Sequence, residues 1–271
     1  MPAISSLLGY AAMTLLGVTL GLLGAGGSIL TVPILVYLFA IAPSQATGYS
    51  LAIVGTSAAA GAAAYWQRQQ NDLKMALVFG LPSLVSVYLT RRYLFPALPN
   101  PLSKIGDFVL SKDLAIMIFF AIFMLAAAAA MIFGKKEDET SAEESKRRIN
   151  VPLIASVGFF TSILTGLVGA GGGFLILPTL MLLGRLPIKV AIGTSLLIIA
   201  VNSLLGFVGE MQTATAIDYG FVATLIILPL TGMALGMYLN KMAPASKLKP
   251  ALGYFVLLMA IYIIGKELLF A

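Results

Sequence analysis

Long apolar runs separated by brief polar breaks set the pattern of this chain: "AAMTLLGVTLGLL" (11–23), "LAIMIFFAIFMLAAAAAMIF" (114–133) and "ALGYFVLLMAIYII" (251–264). They do not alternate polar and apolar residues as barrel strands do, so their backbone groups must close hydrogen bonds within helices. The pattern predicts an all-α polytopic membrane protein. Its apolar segments lie near 4–24, 28–41, 44–66, 73–92 and 112–133, then 151–169, 173–184, 187–209, 216–240 and 249–269. The second segment of each set is short. At 1.5 Å per residue, about 12–15 residues reach about 18–22 Å, less than the roughly 30 Å hydrocarbon core. These two segments are expected to dip in and return, or to form parts of broken helices.

The short segments begin at matching strings, "GLLGAGGSILTVP" (Gly21 to Pro33) and "GLVGAGGGFLILP" (Gly166 to Pro178). The offset that carries Gly24 onto Gly169 also carries Gly48 onto Gly193, Ser50 onto Ser195 and Gly61 onto Gly206. The chain therefore reads as an internal duplication, with a first transmembrane repeat at 1–133, a hydrophilic linker at 134–150 and a second repeat at 151–271. Whether the short segments cross or re-enter, each half crosses the bilayer an odd number of times. Two homologous halves with odd crossings are inverted-topology repeats, and alternating access is the expected mechanism.

Charge supports an orientation. The linker holds five acidic and five basic residues and cannot bury a core. With the linker in the cytoplasm, Arg185, Lys189, Lys241, Lys247 and Lys249 also fall inside, as the positive-inside rule expects of a multi-pass cell (inner) membrane protein. Arg91, Arg92, Lys104 and Lys112 fall on the opposite side, in a connection that the second half lacks. The first apolar run has no basic n-region and flows into the glycine motif, so it is expected to be mature structure rather than a cleaved signal.

Composition then narrows the chemistry. The chain is 59% hydrophobic and 10% charged, with no His and no Cys. That removes thiol chemistry, haem ligation by His and the usual zinc and copper ligand sets, so no metal and no cofactor are expected. The spans hold no paired carboxylates and no nucleophile–base arrangement, and an enzyme is not expected. The net charge of +6 reads as flanking charge, not as a nucleic-acid face. Expected partners are a small anion, membrane lipid and a coupling proton or sodium ion.

The candidate site centres on the glycine clusters. Gly24, Gly26, Gly27 and Ser28 in one half, and Gly169, Gly171, Gly172 and Gly173 in the other, free the backbone to turn. A helix restarting after them offers unpaired N–H groups and the positive end of its dipole to an anion. Close helix packing is the competing use of small residues, as at Gly17 and Gly21 or Ser162 and Gly166. Ser50 in "GYS", Thr194 and Ser195 in "GTS", and Asn202 are candidate hydrogen-bonding partners of the ligand. Glu210 is a candidate proton-coupling carboxylate, with interfacial solvation as its alternative.

Together, "GLLGAGGSILTVP", "GLVGAGGGFLILP" and "KVAIGTSLLIIAVNSLLG" resemble the TauE/SafE family of sulfite exporters. The resemblance covers nearly the whole chain. It implies a secondary transporter, in most cases an exporter, of small anions such as sulfite or organosulfonates. It places the family's glycine motif on Gly24, Gly26, Gly27, Gly169, Gly171, Gly172 and Gly173, and its "GTS" element on Gly193, Thr194 and Ser195. The first half departs from the pattern, with Ser28 opposite Gly173 and Tyr49 opposite Thr194. A negative interior makes anion export downhill, by about 2.3 kcal/mol per charge per 100 mV, whereas import would need a coupling ion. An anion channel and a non-transporting membrane scaffold are the alternative readings.

Overall fold

The computed structural model describes residues 2–99, 101, 103–105, 108–133, 150–169, 171–213, 217–239 and 245–269. The linker expected at 134–150 lies outside the described residues except for Asn150, which caps the next helix by accepting from the Leu153 N–H. Helix α1 (Pro2–Leu23) passes into a 3-10 segment (Gly24–Leu30) and then α2 (Thr31–Tyr37), α3 (Pro43–Gln67) and α4 (Leu73–Leu89). A π-helical turn (Thr90–Leu94) and α5 (Phe95–Ala97) extend α4 into one rod, longer than the apolar segment ending near 92. A small antiparallel hairpin, β1 (Ser103–Ile105) with β2 (Phe108–Leu110), occupies the connection peculiar to the first half. Then follow α6 (Lys112–Phe133), α7 (Val151–Val168), α8 (Gly173–Leu182), α9 (Ile188–Met211), α10 (Tyr219–Leu239) and α11 (Ala245–Leu269).

Five of the described helical stretches are long and apolar enough to cross a membrane: Leu73–Ala97, Lys112–Ala129, Val151–Val168, Ile188–Met211 and Tyr219–Leu239. Their outer faces are apolar. On α4 the exposed residues Leu73, Leu77, Leu81, Val85 and Leu89 recur every fourth position, while Ser83, Ser86 and, just beyond it, Thr90 and Arg91 are buried. That polarity is the reverse of a soluble helix, as expected where lipid is the solvent.

The first short segment does fold back. A Cβ added to Gly27 would meet the Leu20 backbone nitrogen at 2.8 Å, and one added to Gly9 would meet the Phe39 ring at 2.6 Å. The 3-10 segment and α2 therefore return antiparallel along α1, held at the far end by Tyr10 and Phe39 rings 5.3 Å apart.

Contacts between the halves exchange partners in a regular way. α1 packs along α10, and α7 packs along α4. Both pairs run parallel: Gly17 meets Pro229 and Gly21 meets Met233 and Met237, while Gly158 meets Phe79 and Gly166 meets Val87 and Thr90. The glycines there admit the partner's backbone or branched side chains, so close packing is the use made of Gly17, Gly21 and Gly166. α3 and α9 run antiparallel against each other. Gly48, at the start of α3, lies against Glu210 at the end of α9, and Gly193, at the start of α9, lies against Tyr65 and Gln70 at the end of α3. α6 packs on α11.

Candidate functional site

The two glycine clusters differ in backbone conformation. Gly169, Gly171 and Gly172 adopt φ of 75°, 67° and 76°, a region that side chains rarely enter, and together they make a sharp turn between α7 and α8. Gly24, Gly26, Gly27 and Ser28 lie in a 3-10 segment instead, in which Gly27 has no positive φ. Gly27 is tight against α1 and Ser28 is buried, its carbonyl accepting the Thr31 hydroxyl. The segment packs on α8 and α9, so the two motifs meet inside the bundle even though only the second is a left-handed turn.

The turn is pinned and faces polar groups. Ser50 donates to the Gly169 carbonyl at 2.7 Å. A Cβ on Gly171 would stand 2.8 Å from Ser203 Oγ and 2.8 Å from Val54 Cγ1, which places the turn against the middle of α3 and α9. Ser203 Oγ is buried and has no hydrogen-bond partner. The same holds for Asn202 Nδ2, although Asn202 Oδ1 accepts from the Ser83 hydroxyl at 3.0 Å. Unpaired buried donors are costly and call for an explanation. Both lie on α9 inside a membrane bundle, and Ser203 stands beside an irregular backbone turn, which is where a transported ligand would need a donor. Gly172 opens α8 and faces the Thr165 side chain, and Gly173 is the first residue of α8 and buried.

Thr194 and Ser195 do not join this group. They lie in the second turn of α9, nine and eight residues before Ser203 and so about 12–13 Å away along the helix. Ser195 Oγ returns to the Ile192 carbonyl at 2.8 Å. Thr194 Oγ1 accepts the backbone N–H of Asp72 at 2.8 Å, just ahead of α4, where the Asp72 side chain caps Met75. The first half does the same with a different residue: the Tyr49 hydroxyl accepts the N–H of Asp218 at 3.1 Å, and Asp218 caps Phe221 at the start of α10. Tyr49 and Thr194 thus tie each half to the other half's helix cap. Thr194→Val should lower stability by about 1 kcal/mol, the usual worth of such a bond, and leave anion affinity unchanged. Lost affinity at unchanged stability would return Thr194 to the ligand.

Glu210 is not simply solvated at an interface. Its side chain is 12% exposed and its Oε2 lies 3.1 Å from Nη1 of Arg91, whose side chain is fully buried. Gly48 makes room for Glu210, and Gly209 for the Cβ of Arg91. The same Nη1 donates to Thr47 Oγ1 at 3.2 Å, and the Arg91 guanidinium sits 4.5 Å from the Phe95 ring centroid. Lys112 Nζ lies 4.0 Å from that ring and donates to the Phe95 carbonyl. Arg91 is therefore no loop charge, as its place next to Arg92 suggested, but part of the protein interior. The cluster borders the glycine turn, because a Cβ on Gly169 would strike the Thr47 backbone.

Buried donors around a backbone turn, inside helices fit to cross a bilayer, define a membrane transport protein. The Sulfite exporter TauE/SafE family matches the chain over residues 9–263, and the chain belongs to that family. It is 30% identical over 256 residues to a probable membrane transporter protein of Xylella fastidiosa (strain 9a5c), covering 93% of this chain and 92% of the relative. It is 29% identical over 206 residues to the probable membrane transporter protein YunE of Bacillus subtilis (strain 168), covering 70% and 72%. No solved structure matches the chain. The protein is a multi-pass membrane transporter.

Proposed function

We propose that the protein moves small oxyanions, sulfite or organosulfonates foremost, outward across the cell (inner) membrane by alternating access of two inverted repeats, 1–133 and 151–271, joined by a cytoplasmic linker. The observation that carries this reading is the left-handed turn at Gly169, Gly171 and Gly172 set against Ser203, a buried hydroxyl without a partner, with the unpartnered amide of Asn202 at the preceding position of α9. A sulfonate or sulfite offers several acceptor oxygens, and converging O–H, N–H and backbone donors are what it requires. The absence of a full positive charge at Gly171 and Ser203 suits release as much as capture.

The antiparallel packing of α3 on α9, and the exchange of partners between α1/α10 and α7/α4, support the inverted-repeat mechanism. Ser203 at 0% and Asn202 at 3% exposure favour an occluded carrier over an open pore. Gly24, Gly26, Gly27 and Ser28 enter this reading through the 3-10 segment, which packs on α8 and α9.

The test is a thermal-shift scan of purified protein against sulfite, thiosulfate, sulfoacetate, taurine, sulfate, lactate and chloride. A ligand present at 100 times its dissociation constant should stabilise the folded state by about 2.7 kcal/mol. Selective stabilisation by sulfur oxyanions, followed by saturable flux in liposomes, is the expected result. A flat response together with no flux would overturn the reading.

A further inference from the structure

One edge of the Arg91 guanidinium has nothing to bind. Nη1 serves both Glu210 and Thr47, while Nε and Nη2 are buried without a hydrogen-bond partner. In a guanidinium the Nε–H and one Nη2 N–H point the same way and form a fork that matches two oxygens of a single oxyanion. Such an edge would ordinarily be paired if its role were only to hold the bundle together.

We propose that the Nε/Nη2 edge of Arg91 is a second oxyanion subsite, beside the glycine turn, and that Glu210 is its proton-linked counter-ion. The inference rests on the transport reading above and adds a bound proton to it; a dianion leaving with one proton still carries one negative charge down the potential. With Glu210 ionised, the charge of Arg91 is already neutralised and an arriving anion meets a carboxylate on the same guanidinium. A proton taken from solvent onto the Glu210 carboxylate removes that repulsion and leaves Arg91 a full positive charge for the anion. No covalent bond is made. Binding of the anion and of the proton then favour each other by the same factor.

The neighbouring charges fit this role. Lys112, from the start of α6, is in electrostatic range of Glu210, Arg91 and Asp113. Asp113 accepts the Ser44 N–H at the start of α3. α3 faces Glu210 with Gly48 and Thr47, and α4 reaches the end of α9 with Tyr88, whose hydroxyl bonds Gln212. Among these groups Glu210 is the carboxylate on the Arg91 guanidinium itself, and its partial exposure gives the proton a route.

The experiment is calorimetric titration of the full chain in lipid nanodiscs with thiosulfate and with sulfoacetate, neither of which changes charge near neutral pH, in buffers of different ionisation enthalpy. Wild type should take up protons as the anion binds, and Glu210→Gln should bind without proton uptake. Arg91→Lys should bind about tenfold more weakly or worse, since an ammonium is a point charge without the fork. Wild-type binding without proton uptake, uptake that persists in Glu210→Gln, or full affinity in Arg91→Lys would each overturn the subsite and leave the transport reading standing. Absence of wild-type binding to every anion would remove both. If Arg91→Lys does not fold, the proton count of wild type against Glu210→Gln decides.

Discussion

Replacing Arg91 by leucine should destabilise the protein by about 3–5 kcal/mol, the usual cost of leaving one member of a buried ion pair without its partner. Glu210 is 12% exposed, too little for water to take over from the guanidinium. The variant also loses the Thr47 bond and the stacking on Phe95, leaving Lys112 alone against that ring. The double variant Arg91→Leu/Glu210→Gln removes both charges and should recover a large part of the loss, because uncharged replacements of a buried pair are often near neutral. Unfolding of wild type, both single variants and the double variant in one detergent gives the cycle, and contacting residues should depart from additivity by about 0.5–3 kcal/mol. Strict additivity would mean that the pair observed between α9 and the π turn contributes nothing as a pair.

Spans and glycine motifs were legible because the bilayer imposes them on composition directly: a segment either is apolar enough to cross or is not. The fold-back of the first short segment followed from its length. Arg91 was not legible from the same signal. It sits at the end of an apolar run next to a second arginine, which is how loop charges look, and its partner Glu210 lies 119 residues away. The local hint was that apolar residues resume at Tyr93–Phe95, continuing the helix past the charges.

The difference between the glycine clusters was visible only as Ser28 opposite Gly173. A string of glycines permits a left-handed turn without requiring one, and tertiary contacts decide: the first cluster is pressed onto α1, while the second turns against Thr47 and Ser203. Tyr49 opposite Thr194 looked like a break in the repeat. Each hydroxyl accepts the N–H of a helix-capping aspartate from the other half, so unlike side chains fill one role.

Substituting Gly171 should remove transport while leaving the protein folded, provided the substitution respects its backbone. At φ 67° most side chains are strained, and asparagine is the residue other than glycine that tolerates this region best. Gly171→Asn would place its side chain against Ser203 Oγ, Val54 and Ile199, in the space a ligand needs. Overpacking of this kind costs about 1–3 kcal/mol of folding stability, and a side chain in the ligand's place should separately weaken anion binding by about tenfold or more, about 1.4 kcal/mol. Gly27 and Gly172 are less informative positions. A side chain at Gly27 meets the α1 backbone and one at Gly172 meets Thr165, neither of them the unpartnered Ser203 hydroxyl; Gly171 is equally crowded, 2.8 Å from Val54 and Ser203, so folding stability is measured beside affinity. Gly265→Asn on α11 is the control, since nothing stands within 4 Å of a Cβ there. The measurement is anion affinity and liposome flux for both variants after each is shown to be monodisperse. Loss at Gly171 with retention at Gly265 places the substrate at the turn, because no other change in the pair of variants reaches Ser203. Wild-type affinity and flux in Gly171→Asn would mean that the ligand passes elsewhere and that the turn serves only to reverse the chain between α7 and α8.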